Sequence, residues 1–542
     1  MARAALIAPL TSLFRCPSLP IAGVGRLRFI DLRVPSLRFC LVLFALLAQR
    51  GWVLPTVASA QEAPVTPVGT RMQRIVSSNR HAAQRWPQLS DVALDLRTVY
   101  TASGWSPQWT QAGRPTTSAL RTIEQLRHVD TRGLEPKDYD VERLSVLARV
   151  LSVSAMSTTA DADVAQFDVM LSSAALRALR SLQYGRVSAR VAHAQLRIPH
   201  ESWDAPAALQ RLIASVDAAQ QFVDAEPPYQ HYRLLVNALA RYRALANDTV
   251  LLRETLRDTT RTRSSPEHMA TLRRRLDSRV EQIATTLERW RWLPHRFAVP
   301  PIIVNIPAFE LYAFRSTKEG DALRMNVVVG NAYDHKTPVF SGVVQHLVLS
   351  PYWDVPPSIA RKEILPKARR GLDYLTRNAF EIVGANERVI PTTYGALDAV
   401  SAGRARIRQR PGAQNALGGV KFIFPNEFNV YMHDTPAQAL FGEARRDFSH
   451  GCIRLAQPAD LAALLLRDQA GWDSTRIATE MHRTTPLQVP LTVPVPVHVV
   501  YATAIAREDG SVVFHDDIYG HDRRLRGLLK GGYPYPAPDR RP

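Results

Sequence analysis

The sequence predicts an α+β protein: a helical N-terminal scaffold followed by a mostly β domain. Three observations carry this. Up to about residue 290 apolar residues recur at helical spacing. From Pro300 onward they fall into short runs separated by turn residues, the pattern of strands. The length, 542 residues, exceeds what one hydrophobic core organises, so two or three domains are expected.

Taken in order, the first 60 residues predict an export signal. Arg33 and Arg38 precede the apolar run Phe39 to Ala48, and Ala58-Ser59-Ala60 before Gln61 has the small-residue form of a cleavage site. The run is short for a bilayer span, which favours cleavage after Ala60 over an uncleaved anchor. The leader is long ahead of its apolar core, which leaves room for a start downstream of Met1. A helical scaffold is expected over 61–298. Within it Phe167, Leu171, Ala175, Leu179 and Leu182 form one stripe, closed by Gly185 as a C′ residue. Leu234, Leu235, Ala238, Tyr242 and Leu245 form a second. Arg257–Ser265 reads as a loop. Pro266 then opens a long helix whose stripe runs Leu272, Leu276, Val280, Ile283, Leu287 and Trp290. Its aromatic end, Trp290-Arg291-Trp292, predicts a surface on which domains dock.

A sheet-rich domain is expected over 299–522. Strands are predicted at 302–306, 309–314, 325–329, 343–349, 420–424 and 429–432, with a helical excursion over Ile359–Gly384 and a helix over Pro458–Leu466. Gly418-Gly419 predicts a turn, and Asp509-Gly510 a hairpin turn. Residues 523–542 read as a C-terminal tail. No internal repeat is visible. The formal charge is +19, and about +13 remains beyond the leader, spread along the chain. This biases the surface toward polyanions. No nucleic-acid recognition signature accompanies it, so no nucleic-acid partner is expected.

Of Cys16, Cys40 and Cys452, the first two leave with the leader. A lone thiol in an exported chain is an intermolecular bridge or a reactive group. Ser449-His450-Gly451-Cys452 favours the second, because an imidazole that accepts a thiol proton makes a nucleophile. Cys452 is the expected nucleophile and His433, at the end of a β-type run, the expected base. The N–H groups of Gly451 and Cys452 are expected oxyanion donors. His450 is given a secondary role in the loop or at the substrate. Ser449 and Arg454 are expected to brace the turn or bind a carboxylate. A zinc site on His433, His450 and Cys452 is the chemical rival, but CxxC and HExxH spacings are missing. A papain-like arrangement would place its Cys before its His.

His433 followed by Ser449-His450-Gly451-Cys452-Ile453-Arg454 resembles the signature of the L,D-transpeptidases with a YkuD-type catalytic domain. Glu288 to Pro294, Ile303 to Phe309, Pro351 to Ala360, Arg408 to Phe422, Pro496 to Tyr501 and Asp516 to Gly520 are similar to further stretches of the large periplasmic members in Gram-negative bacteria. Gly133 to Tyr139 and Leu182 to Val187 extend the resemblance into the helical part. It implies a periplasmic enzyme of cell-wall biogenesis and cell shape, without cofactor or metal. Its Cys452 would attack the bond between meso-diaminopimelate and the terminal D-Ala of a peptidoglycan stem peptide. D-Ala would leave, and a second stem's side-chain amine would take the acyl group, giving a 3→3 cross-link. By the same resemblance Tyr431, Trp353, Arg454 and Asp434 would line the substrate groove or support the turn, the excursion Ile359–Gly384 would form a lid, and carbapenems would acylate the thiol. The small wall-binding module common in such members has no counterpart between Tyr242 and Leu272. The same thiol with water as acceptor would give an L,D-carboxypeptidase, or an amidase releasing wall-bound protein. A catalytically silent wall scaffold would have no need of the His433–Cys452 pair.

Overall fold

A computed structural model describes residues 65–153, 160–193, 196, 202–248, 266–317 and 322–535. The leader with Cys16 and Cys40, the polar stretch 249–265 and the last residues 536–542 lie outside the described residues. The chain is α+β, helical first and sheet-rich after residue 300. Three cores form. The first belongs to the helical part and is built around α1, Ala160–Tyr184, whose Phe167, Leu171, Ala175, Leu179 and Leu182 are all buried. Gly185 follows at φ +81°, a left-handed stop.

Two further helices, α2 (Gln230–Asn247) and α3 (Pro266–Trp290), pack on each other. Their Leu235, Leu239, Ile283 and Leu287 join the second core, which is that of the sheet. The aromatic end of α3 is the joint itself. Trp290 and Trp292 are buried, and Trp292 Nε1 donates to the Val187 carbonyl at 2.9 Å. Arg291, wholly buried, pairs with Glu288 at 3.1 Å and donates to Tyr232 Oη. No helix among the described residues is long and apolar enough to cross a membrane.

The main sheet has nine strands: β1 (Ile302–Asn305), β2 (Glu310–Phe314), β3 (Ala322–Gly330), β4 (Phe340–Leu349), β5 (Val420–Ile423), β6 (Met432–His433), β7 (Asp447–Ser449), β8 (Ile453–Leu455) and β9 (Leu487–Val500). Their order is β7-β3-β8-β6-β5-β4-β9-β1-β2, and β2 also pairs with β3, which closes the ring of pairings and leaves few open edges. Pairs β5–β6 and β3–β8 are antiparallel, whereas β6–β8 is parallel.

The excursion between β4 and β5 is a small unit with the third core, including Ile364, Leu375, Ile382, Leu397 and Ile407. Its expected helix over Ile359–Gly384 holds only in part. Short helical turns run from Pro357 to Arg377, but Phe380–Gly384 is a strand. That strand pairs along its whole length with Ala405–Gln409, burying Ile382 and Val383, and Trp353–Asp354 adds on the far side. Residues Ala360–Ile364 form a wide π-turn in which Leu365 N–H reaches the Ala360 carbonyl. Pro366 follows with no N–H to offer an ordinary turn.

The C-terminal stretch does not run on as a tail. His521–Lys530 is a helix, α4, packed along α3. Its Leu525 is buried, and Asp522 meets Arg289 in a buried ion pair. Beyond it, Tyr535 Oη donates to Asp138 at 2.6 Å and Tyr533 Oη to Asp91. The amphipathic spacing Asp522, Leu525 and Leu529 is what the sequence offered for this helix.

Candidate active site

The site is a consequence of side-chain alternation on three neighbouring strands. Val420, Phe422, Met432 and Ile453 are buried in the core, so the residues between them project from the opposite face. These are Lys421 on β5, Tyr431 and His433 along β6, and Cys452 and Arg454 along β8. The register sets Lys421 opposite His433 and His433 opposite Arg454. One step earlier, Ile453 N–H donates to the Tyr431 carbonyl at 3.0 Å, which draws Cys452 up beside Tyr431. The Tyr431 and His433 rings are 5.6 Å apart.

His433 is 4% exposed, and its Nδ1 lies 2.5 Å from the Asp434 carbonyl. A carbonyl only accepts, so the neutral ring carries its proton on Nδ1 and presents the Nε2 lone pair. Burial pushes the imidazole down to about 3. The Asp434 bond opposes this, and Arg454 and Lys421 add to it. Cys452 is half-buried, with Sγ 3.8 Å from the Asn429 carbonyl. Burial raises its thiol. Hydrogen bonds from the Tyr431 backbone and hydroxyl, then the charges of Lys421 and Arg454, pull the other way. At neutral pH the resting pair is thus a neutral thiol beside a neutral imidazole.

The turn before Cys452 is braced from several sides. Gly451 has φ +110°, a conformation that a side chain would strain. Ser449, 3% exposed, donates to the Cys452 carbonyl at 2.5 Å and accepts the Gly451 N–H at 3.1 Å. Of the two expected oxyanion donors, the Gly451 N–H is therefore taken by Ser449, which leaves the Cys452 N–H. Thr337 Oγ1 donates to the Gly451 carbonyl at 2.8 Å, and its own N–H goes to Tyr519 Oη. Tyr519 N–H in turn donates to Tyr501 Oη at 2.9 Å, and Tyr501 to Asp517 at 2.8 Å.

The other expected residues divide. Trp353, from the excursion, acts on the Tyr431 hydroxyl and pulls it down against burial. His450 is exposed. Its Nε2 is 2.7 Å from Glu363 in the π-turn, and its ring packs edge-on against His335 at 4.8 Å. Asp434 supports a turn. Its carboxylate accepts the N–H groups of Gly419 at 2.8 Å and Thr435 at 2.7 Å, holding the Gly418-Gly419 turn. A Cβ on Gly418 would sit 2.3 Å from that carboxylate, so glycine is required there. Arg454 keeps a buried Nε without a partner. Among the described residues no three His, Cys, Asp or Glu side chains converge as metal ligands. Lys421, Thr337 and Tyr519 were not singled out from the sequence. Lys421 and Tyr519 lay in quoted stretches, Arg408 to Phe422 and Asp516 to Gly520, and Thr337 in none.

Residues 301–490 match the family of the L,D-transpeptidase catalytic domain, YkuD. Over its sheet-rich half the chain resembles the L,D-transpeptidases. Residues 94–239 match a scaffold domain. A protein of Haemophilus influenzae named "Putative L,D-transpeptidase" is 31% identical over 247 residues, 45% of this chain. The chain spans about half, 49%, of that relative's length.

Proposed function

We propose that this protein is a peptidoglycan L,D-transpeptidase working through a cysteine acyl-enzyme. The observation that supports it most is the shared face of β6 and β8, where His433 presents a free Nε2 lone pair on the same side as Cys452. In this reading His433 takes the thiol proton as Sγ attacks the carbonyl of meso-diaminopimelate. Cys452 N–H steadies the oxyanion, a contribution worth on the order of a hundredfold in rate. The C–N bond to D-Ala breaks, and the proton held by His433 goes to the leaving amine. A second stem peptide's side-chain amine then attacks the thioester, forms the 3→3 amide and returns the thiol. Tyr431, Trp353 and Arg454 flank the donor peptide. The excursion over the groove acts as a lid, tied to the catalytic turn through Glu363 and His450. The chain is exported, cleaved after Ala60, and works in the periplasm, where its basic surface favours the wall.

The test is intact mass spectrometry after carbapenem exposure, paired with product analysis on purified tetrapeptide wall fragments. Wild type should gain one adduct and yield 3→3 dimers. Folded Cys452→Ala should do neither. An adduct on the alanine variant, or dimers formed by it, would remove Cys452 from the chemistry. Tripeptide monomers without dimers would instead make water the acceptor and the enzyme a carboxypeptidase.

A further inference from the structure

Lys421 sits where a lysine is costly. It lies on β5 between buried Val420 and Phe422, directly across from His433, with Nζ 3.7 Å from the centroid of the Tyr431 ring. That is well inside the range of a cation–π contact. Among the described residues no carboxylate lies within ion-pair distance of it. A half-buried cation without a paired anion is destabilising unless an anion forms nearby. The hydroxyl of the ring it covers also favours the ionised Cys452 sulfur.

We propose that Lys421 is a positioning residue whose ammonium, seated on Tyr431, is the counter-charge of the Cys452 thiolate. This rests on the reading of Cys452 as the nucleophile. The titration behaviour agrees. Burial pulls the Lys421 ammonium down while Cys452 pulls it up, and Lys421 stands ahead of Arg454 among the charges that lower the thiol. Both cations also disfavour a charged His433, after burial. The negative charge that develops on Cys452 as His433 takes its proton is therefore balanced from the sheet.

Other charges face the group from each packed element. Arg454 on β8 is itself lowered by burial and raised by Cys452. Asp354, on the excursion, acts on Lys421 at longer range. His346 on β4 is pushed down by burial and then by Lys421, so it adds no charge at neutral pH. On the far side of the turn, His450 is matched by Glu363.

The experiment uses the full chain, alkylated with iodoacetamide across a pH series, with the modification at Cys452 read by peptide mass spectrometry. Lys421→Met keeps the apolar stem and removes the charge. Its alkylation midpoint should rise by about one pH unit. At pH 7 the thiolate fraction falls about tenfold, and the more basic thiolate recovers about threefold of that, a net loss of about threefold. Lys421→Arg should return the midpoint to near wild type. A folded Lys421→Met with an unmoved midpoint would overturn the proposal, because a counter-charge cannot be removed without moving the thiol it balances.

If Lys421→Met fails to fold, linkage supplies the reciprocal measurement. In Cys452→Ala the pH midpoint for reductive methylation of Lys421 by formaldehyde should fall by a similar amount, and no change would equally sink the idea. A shifted midpoint without a carbapenem adduct would spare Lys421 and remove the transpeptidase reading. An adduct with an unmoved midpoint would do the reverse.

Discussion

At the scale of single residues, the two histidines of the site have opposite environments. His433 is buried and fixed through Nδ1 to a backbone carbonyl. His450 is exposed and engaged with Glu363 and His335. Removing a positioned base typically costs about a hundredfold to ten-thousandfold, whereas losing a loop contact costs far less. His433→Ala should slow carbapenem acylation, followed by stopped-flow fluorescence, by at least about a hundredfold. His450→Ala should slow it by less than about tenfold, the scale of one surface contact. Equal losses would undo this division of labour. The pair His433 and Cys452 was legible because a lone thiol near two imidazoles has few other uses. Lys421 was not, since a lysine between two apolar residues reads as the solvent side of any strand. Only the register across β5 and β6 reveals that its neighbours are Tyr431 and His433. The partner of Asp434 was hidden for a related reason: Gly419 is brought back beside it by the same hairpin.

At the scale of elements, the sequence showed the periods but not the partners. The stripe of α1 and the helix Pro458–Leu466 were readable because each is decided by local spacing. Phe380–Gly384 was not, because a short segment with only three large apolar residues after a helical turn becomes a strand only when Ala405–Gln409 lies beside it. The C-terminal helix depends on contacts more than 200 residues away. Asp522 holds Arg289 on one oxygen and accepts Thr503 Oγ1 on the other at 2.6 Å. Both charges of the pair are about 5% exposed or less. Asp522→Ala would leave a buried guanidinium without its anion, which costs about 3–5 kcal/mol. Urea unfolding should show that loss as a lower midpoint at unchanged slope. A loss under about 1 kcal/mol, the range of exposed pairs, would mean that α4 is not anchored there.

At the scale of the whole molecule, burial has been imposed on many imidazoles at once. His193 is pushed down to about 2, and His231, His498 and His521 to about 4, each first by burial; His433 stands at about 3. His193 and His521 meet across the joint between the helical part and α4, their rings 4.6 Å apart, and Arg289 opposes a charge on either. In the unfolded chain these groups titrate near ~6.5. Between about pH 4 and 6.5 the unfolded state therefore binds more protons, so stability rises with pH across that window and is level above it. Each histidine contributes at most about 1.4 kcal/mol per pH unit. Buried Asp168 runs the other way: burial raises it to about 6, so the folded state holds its proton below that pH and offsets about one histidine. The net sign still belongs to the imidazoles. Urea unfolding followed by tryptophan fluorescence should show stability falling steeply from pH 6.5 to 5. His193→Phe, which keeps an aromatic ring against Trp292, should make that fall shallower by about 1 kcal/mol per unit. A stability flat between pH 7 and 5 in wild type, or an equal slope in the variant, would mean that these rings are not held neutral by the fold.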